Sequence, residues 1–186
     1  MKTLVIVAHP NIAESKINNA WVKELSKADN QTTIHNIYEK YPDGVIDVEA
    51  EQSLILSHNA LVLQFPFFWF NTPPLLKRWL DDVLVPGFAY GPNADDRKLT
   101  GMPIGLAVSA GIQSKDYSNH GRYKYTIKEL LAPLHATASY VGAKALEPFI
   151  FYGAEYEPKS DEIEKNAIQY AEYIRNIQKG NVEIFA

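Results

Sequence analysis

Ala60-Leu61-Val62-Leu63-Gln64-Phe65 runs directly into Pro66-Phe67-Phe68-Trp69-Phe70-Asn71-Thr72-Pro73-Pro74 and then into Leu75-Leu76-Lys77-Arg78-Trp79. The first six residues are apolar almost throughout and read as a strand buried on both faces. Pro73 and Pro74 suit the first turn of a helix, where a missing amide proton costs little, and Leu75, Leu76, Trp79, Leu80 and Val83 continue it. Four aromatic residues therefore fall in a loop at the carboxyl end of a buried strand. That is where open α/β sheets bind ligands, and rings there suit a flat, π-rich partner. Taken alone, the run also fits core packing or a dimer interface, where aromatics are likewise enriched.

The same grammar extends in both directions. Leu4 to Ala8 is a short apolar, β-branched run that His9-Pro10-Asn11 ends with turn chemistry, and Ser15 is the expected N-cap of a helix lined by Ile17, Ala20, Trp21, Leu25 and Ala28. Thr32 to Ile37 reads as a second strand, followed by a Pro42-Asp43-Gly44 turn and a helix near Val48 to Ser57. Residues 86 to 101 form a long loop, Pro103 to Ser109 a fourth strand, and Ala110 to Tyr123 a second long loop. Thr126 and Glu129 form a capping-box pattern at the head of a helix that Pro133 is expected to kink or split. Lys144 to Phe151 is a fifth strand interrupted by Pro148, and a last helix starts near Asp161, with Glu164 as its capping partner, and runs to about Gln178.

Five strands alternating with helices predict an α/β fold with one parallel sheet covered on both faces, in the doubly wound order 2-1-3-4-5. No repeat and no linker rich in Pro, Gly or Ser divides the 186 residues, so 1–186 is expected to form a single domain. The net charge of -4 gives no general attraction to nucleic acid or anionic membrane. The absence of cysteine excludes disulfides, thiolate nucleophiles and cysteine metal sites, and the histidines lack metal-ligand spacing, so no metal is assigned. The amino-terminal apolar stretch is too short for a signal peptide and no segment approaches a membrane span. A cytoplasmic location is the simplest expectation.

In this order the loops after strands one, three and four converge beside the switch point between strands one and three. The first, His9 to Ser15, offers backbone amides, a serine hydroxyl and the positive end of a helix dipole, which suit a phosphate; Asn18 stands one turn on. Its local pattern is equally that of a strand-to-helix turn with a serine cap. In the third of these loops, Ser109-Ala110-Gly111-Ile112, Gly111 permits close backbone approach to a ligand. Tyr117, His120 and Tyr123 follow with titratable or hydrogen-bonding tips. No GxGxxG or Walker A pattern follows the first strand, which disfavours dinucleotide binding of the Rossmann type and P-loop phosphoryl transfer.

Taken together, His9-Pro10 with Ser15-Lys16-Ile17-Asn18, Phe65-Pro66-Phe67-Phe68-Trp69 with Pro73-Pro74-Leu75-Leu76-Lys77, Gly87-Phe88-Ala89-Tyr90-Gly91, Leu130-Leu131-Ala132-Pro133 and Gly142 resemble the flavodoxin-fold NAD(P)H:quinone oxidoreductases, the DT-diaphorase-like family in its short bacterial form. Related short members include ancillary proteins of glutathione-gated potassium efflux systems. The resemblance implies a flavodoxin-like three-layer αβα sandwich with a five-stranded parallel sheet. It implies that His9, Ser15, Ile17 and Asn18 hold the flavin phosphate and ribityl chain, that Pro66, Phe67, Phe68, Trp69 and Phe70 run along the isoalloxazine edge, and that Ser109, Ala110, Gly111 and Ile112 approach its pyrimidine side. Tyr117 would lie near the hydride-transfer position, with His120 a second catalytic candidate. Two departures stand out. The family's Thr-Thr-Gly-Gly is here Ser109-Ala110-Gly111-Ile112, one hydroxyl and one glycine short, and Asn119-His120-Gly121-Arg122-Tyr123 stands where relatives carry a paired glycine and then a histidine.

The activity implied is ping-pong hydride transfer: NADPH or NADH reduces the flavin and leaves, and a quinone then accepts hydride at the same face. FMN is favoured over FAD because the chain is short and lacks an obvious adenine site. A homodimer, with a partner chain closing the pocket, is also implied. A regulatory ancillary subunit that binds a membrane potassium efflux protein is the alternative, and a single-electron carrier ranks last.

Overall fold

The structure, a computed structural model, describes residues 1–27 and 31–185. Six strands form one sheet: Thr3–Val7 (β1), Thr32–Asn36 (β2), Ala60–Pro66 (β3), Pro103–Ala110 (β4), Lys144–Ala145 (β5) and Phe149–Tyr152 (β6). The order is β2-β1-β3-β4-β5 with β6 also on β4, and every pairing between these strands is parallel. The helices are Lys16–Leu25 (α1), Ile37–Lys40 (α2), Val48–Leu56 (α3), Pro74–Val83 (α4), Ile127–Tyr140 (α5) and Ser160–Lys179 (α6).

The apolar runs are continuous because both faces of the sheet are covered. Leu4, Ile6, Leu61, Leu63 and Phe65 pack with Leu76, Trp79 and Leu131 on one side. Val5, Val7, Ala60 and Val62 pack with Trp21, Tyr170 and Ile174 of α1 and α6 on the other. Successive strand residues point to opposite faces, so a strand between two helical layers must be apolar at both parities. Ala28, assigned from its spacing to the buried side of α1, lies outside the described residues.

Several expectations change at the edges. Pro148 does divide the fifth strand: β5 and β6 are separate segments that both pair with β4. Proline lacks the amide proton a sheet interior needs. Pro133, by contrast, does not split its helix, because Ile127, Leu131, His135 and Ala138 bury one continuous face of α5 and packing outweighs the lost bond. Thr126 and Glu129 do form a capping box. The last helix starts at Ser160 with Lys159 as N-cap, so Asp161 lies inside its first turn and the Asp161–Glu164 box does not form. The short helix α2 was not anticipated from the sequence; Asn36 caps it, its side chain accepting from Tyr38 N.

One buried charge ties the β2 edge to α4. Glu51, on α3, accepts from His35 Nε2 at 2.7 Å and from Tyr41 Oη at 2.6 Å through Oε1, and from Trp79 Nε1 at 2.7 Å through Oε2. Burial opposes the charge, yet the three donors outweigh it and hold the carboxyl below the ordinary value of 4.5. A depressed carboxyl contributes stability that is complete above that ordinary value and lost as pH falls through the folded one. Glu51→Gln turns an amide proton toward one of these donors. It should cost about 1–3 kcal/mol at neutral pH and remove part of the stability loss seen in wild type below pH 4.5, as read by urea denaturation across a pH series.

Candidate functional site

The register brings three loops to one edge. Beyond β1, Ala8 N donates to Gln64 O at 2.8 Å; beyond β3, Phe67 N donates to Ser109 O at 2.9 Å. The ladder thus continues past the strand ends and fixes the loop roots against each other.

After β1 the chain makes a short 3-10 turn, Ile12–Glu14, and Ser15 caps α1, its Oγ accepting from Asn18 N at 3.1 Å. Asn11 N donates to His9 Nδ1 at 3.1 Å, so the proton of the neutral ring sits on Nε2. Burial lowers the His9 pKa from 6.5, which keeps the ring neutral at neutral pH. The first amides of α1 and its positive dipole end face the same space.

After β3 the aromatic run makes a tight turn. Phe68 and Asn71 form an isolated antiparallel bridge, with Asn71 N bonded to Phe68 O at 2.9 Å. The two residues between, Trp69 at φ 49° and Phe70 at φ 62°, both lie in the left-handed region. Such a turn prefers Asn and Gly; here it holds two large rings, at a cost of about 1–2 kcal/mol per residue. Trp69 is thereby thrust into solvent, 94% exposed, while Phe70 packs on Tyr123 with ring centroids 4.9 Å apart.

After β4, Gly111 is in close contact with the segment beyond β6. Ala154 N and Glu155 N donate to Ala110 O and Gly111 O at 3.0 and 3.1 Å, and a Cβ added at Gly111 would stand 2.5 Å from Glu155 Oε1. The Glu155 side chain occupies this space, so a larger residue at 111 would have to displace it.

His9, Ser15, Ile17, Pro66, Phe67, Phe68, Ser109 and Gly111 line one cleft of about 290 Å³, joined by Glu14, Lys16, Ala154 and Glu155. The remaining site residues lie elsewhere. Asn18 is 1% exposed, its amide turned inward to donate to Ser109 Oγ at 2.8 Å. Ala110 is fully buried, Ile112 packs against the core, and Phe70 lines a neighbouring groove of about 540 Å³ that shares Phe67. Tyr117 is 7% exposed within a cage of Phe67, Phe70, Tyr123 and Tyr152. Burial pushes its hydroxyl up to about 12. His120 stands exposed, without a side-chain hydrogen bond or ring contact among the described residues; the residue that joins Tyr117 from this loop is Tyr123. Sequence reading missed Glu155, although Gly153 in the turn after β6 marked a further loop at the ligand-binding edge of the sheet. Among the described residues no group of three acidic, His or Cys side chains is placed to hold a metal ion.

The residues fit a flavin nucleotide: an aromatic wall, and helix amides with a serine hydroxyl and a neutral histidine for the phosphate. A sequence model of the family described as Flavodoxin-like fold matches residues 1–174. The chain is 43% identical over 175 residues to YrkL of Bacillus subtilis (strain 168), named an uncharacterized NAD(P)H oxidoreductase, covering 94% of this chain and 98% of that protein. It is 32% identical over 175 residues to the glutathione-regulated potassium-efflux system ancillary protein KefG of Serratia proteamaculans (strain 568), covering 94% and 93%. Among solved structures it is similar to general stress protein 14 of Treponema denticola in complex with FMN, with TM-score 0.88, 42% identity and coverage of 94% and 98%. It is also similar to an NADPH-quinone reductase from P. pentosaceus, with TM-score 0.83, 30% identity and coverage of 93% and 97%.

Because Trp69 is solvated, its ring contributes little packing while its backbone is strained. Trp69→Asn, which tolerates the left-handed region, should raise the stability of the cofactor-free protein by about 1 kcal/mol in urea denaturation. An unchanged or lowered midpoint would mean that the turn holds no strain.

Proposed function

The chain belongs to the family of Flavodoxin-like fold, and on that premise we propose that it is an FMN-dependent NAD(P)H:quinone oxidoreductase acting as one domain over residues 1–186 in the cytoplasm. The convergence of His9, Ser15, Ile17, Pro66, Phe67, Phe68, Ser109 and Gly111 on one cleft carries this reading. FMN, when bound, supplies the ring that takes hydride from NAD(P)H and gives it to a quinone.

The protein's part is to bind and orient. The free amides at the start of α1, with the Ser15 hydroxyl and His9 Nε2–H, hold the phosphate end. Pro66, Phe67 and Phe68 form a wall along the ring, with Trp69 at the tip of the turn, and Ser109 and Gly111 meet its polar edge. Tyr117 has its hydroxyl raised to about 12, so it stays a proton donor throughout the neutral range and can hydrogen-bond to charge that builds on the ring.

The neighbouring groove supports a homodimer. Leu80, Leu84, Tyr90, Leu134 and Tyr140 line it beside Phe67 and Phe70, and a second copy seated there would close the pocket. The likeness to KefG favours an ancillary role in potassium efflux as a second reading. A cleft that joins an aromatic wall to the open amides of α1 fits turnover better. A substitution that abolishes turnover yet leaves efflux activation intact would reverse that order.

Initial rates with NADPH and a quinone should give parallel double-reciprocal lines, and intersecting lines would contradict exchange through one shared pocket. Tyr117→Phe should lower kcat/KM roughly tenfold to hundredfold. His120→Ala, at an exposed position, should leave it within about twofold. The wild-type rate should show no loss as pH passes the ordinary tyrosine value of 10.0, and a limb there that is missing from the Tyr117→Phe profile would contradict the raised hydroxyl.

A further inference from the structure

Gln64 is a polar side chain on an otherwise apolar central strand, and it is fully buried. Its Nε2 donates to the backbone carbonyl of Asn18 at 3.2 Å and lies 3.4 Å from Asn18 Oδ1. Asn18 Nδ2 donates in turn to Ser109 Oγ at 2.8 Å. The chain of bonds crosses three elements, from β3 through α1 to β4, and ends on a residue that lines the cleft.

The direction of this chain is set at one end. A backbone carbonyl only accepts, so Gln64 must present its NH2 group to Asn18, and its Oε1 faces the other way. That oxygen is buried and has no partner among the described residues. Facing a donor with its Oδ1, the Asn18 amide must then present Nδ2 to Ser109. Ser109 Oγ accepts that bond, which turns its own proton elsewhere. A buried unpaired carbonyl is a cost to folding, and it is the cost that goes with this orientation.

We propose that Gln64 is a positioning residue that fixes the polarity of the Gln64–Asn18–Ser109 relay, so that Ser109 Oγ accepts from Asn18 and keeps its own proton for the cleft. The chemistry selected is that of a hydrogen-bond acceptor on the bound cofactor, a ring nitrogen, carbonyl or phosphate oxygen. Ala110, Gly111 and Ile112 carry no hydroxyl, so within this four-residue segment the Ser109 proton is the side-chain donor. Identification of the acceptor with FMN rests on the proposed function; the polarity itself belongs to the unliganded protein.

The test uses Gln64→Met, Ser109→Ala and the double variant, with three readouts: FMN affinity by titration, thermal midpoint of the cofactor-free protein, and hydrogen exchange of the Asn18 side-chain amide by NMR. Each single variant should weaken FMN binding by about threefold to tenfold, and the double variant no more than either alone. Asn18 amide protons should exchange at least about tenfold faster in Gln64→Met, while its midpoint stays level or rises as the unpaired oxygen disappears. Unchanged Asn18 exchange, additive losses of affinity, or a lowered midpoint with wild-type FMN affinity would each overturn the proposal. Should Gln64→Met not fold, Ser109→Ala decides through Asn18 exchange, which must quicken. Wild-type protein that binds no FMN would sink the cofactor reading, and the exchange data would still judge the relay.

Discussion

The parallel register of β1, β3 and β4 is the constraint on which the rest of the molecule depends. Val7 stands opposite Gln64 and Gln64 opposite Ala107, so the three strands end at nearly one level and their loops start side by side. The bonds Ala8 N to Gln64 O and Phe67 N to Ser109 O extend that register past the strand ends. A slip of one residue would exchange the two faces of β3, sending Val62 and Gln64 to the α4 side and Leu63 and Phe65 to the α1 side. Both faces are buried, but only one suits a polar side chain, which makes the register strongly specified.

Upon that frame the site combines rigid and strained parts. The end of the cleft proposed for the phosphate is the capped start of α1, where Ser15 satisfies one orphan amide and leaves others free. The end proposed for the ring is a turn whose two central residues are large aromatics in left-handed backbone, an arrangement that local preference opposes and that the cage around Phe70 and Tyr117 holds in place. Stability is spent there on presenting rings at the sheet edge. The buried Glu51, bonded to Trp79, anchors the helix that follows the same turn.

Much of this was legible in the sequence because it is local. Continuous apolar runs at 4–8, 60–65 and 103–109 mark doubly covered strands, and Ser15 and Thr126 with Glu129 announce helix starts by their own hydrogen-bonding chemistry. The less legible parts depend on distant partners. Whether Pro133 breaks a helix depends on the face that helix buries, and the sequence does not display that competition. Glu155 reaches the cleft only because β6 pairs with β4, and Asn18 turns inward only because Ser109 and Gln64 lie beneath it. That Tyr123 packs on Tyr117 while His120, the second catalytic candidate, stands exposed was likewise not legible, since in an irregular loop spacing says nothing about which side chain turns toward Tyr117.

The most direct test of the account is the absorption spectrum of the purified protein, followed by denaturation and identification of what is released. The account predicts flavin bands that NADPH bleaches without oxygen and a quinone restores, with FMN in the supernatant. A colourless protein that also fails to take up added FMN would contradict it, leaving the aromatic turn as packing alone.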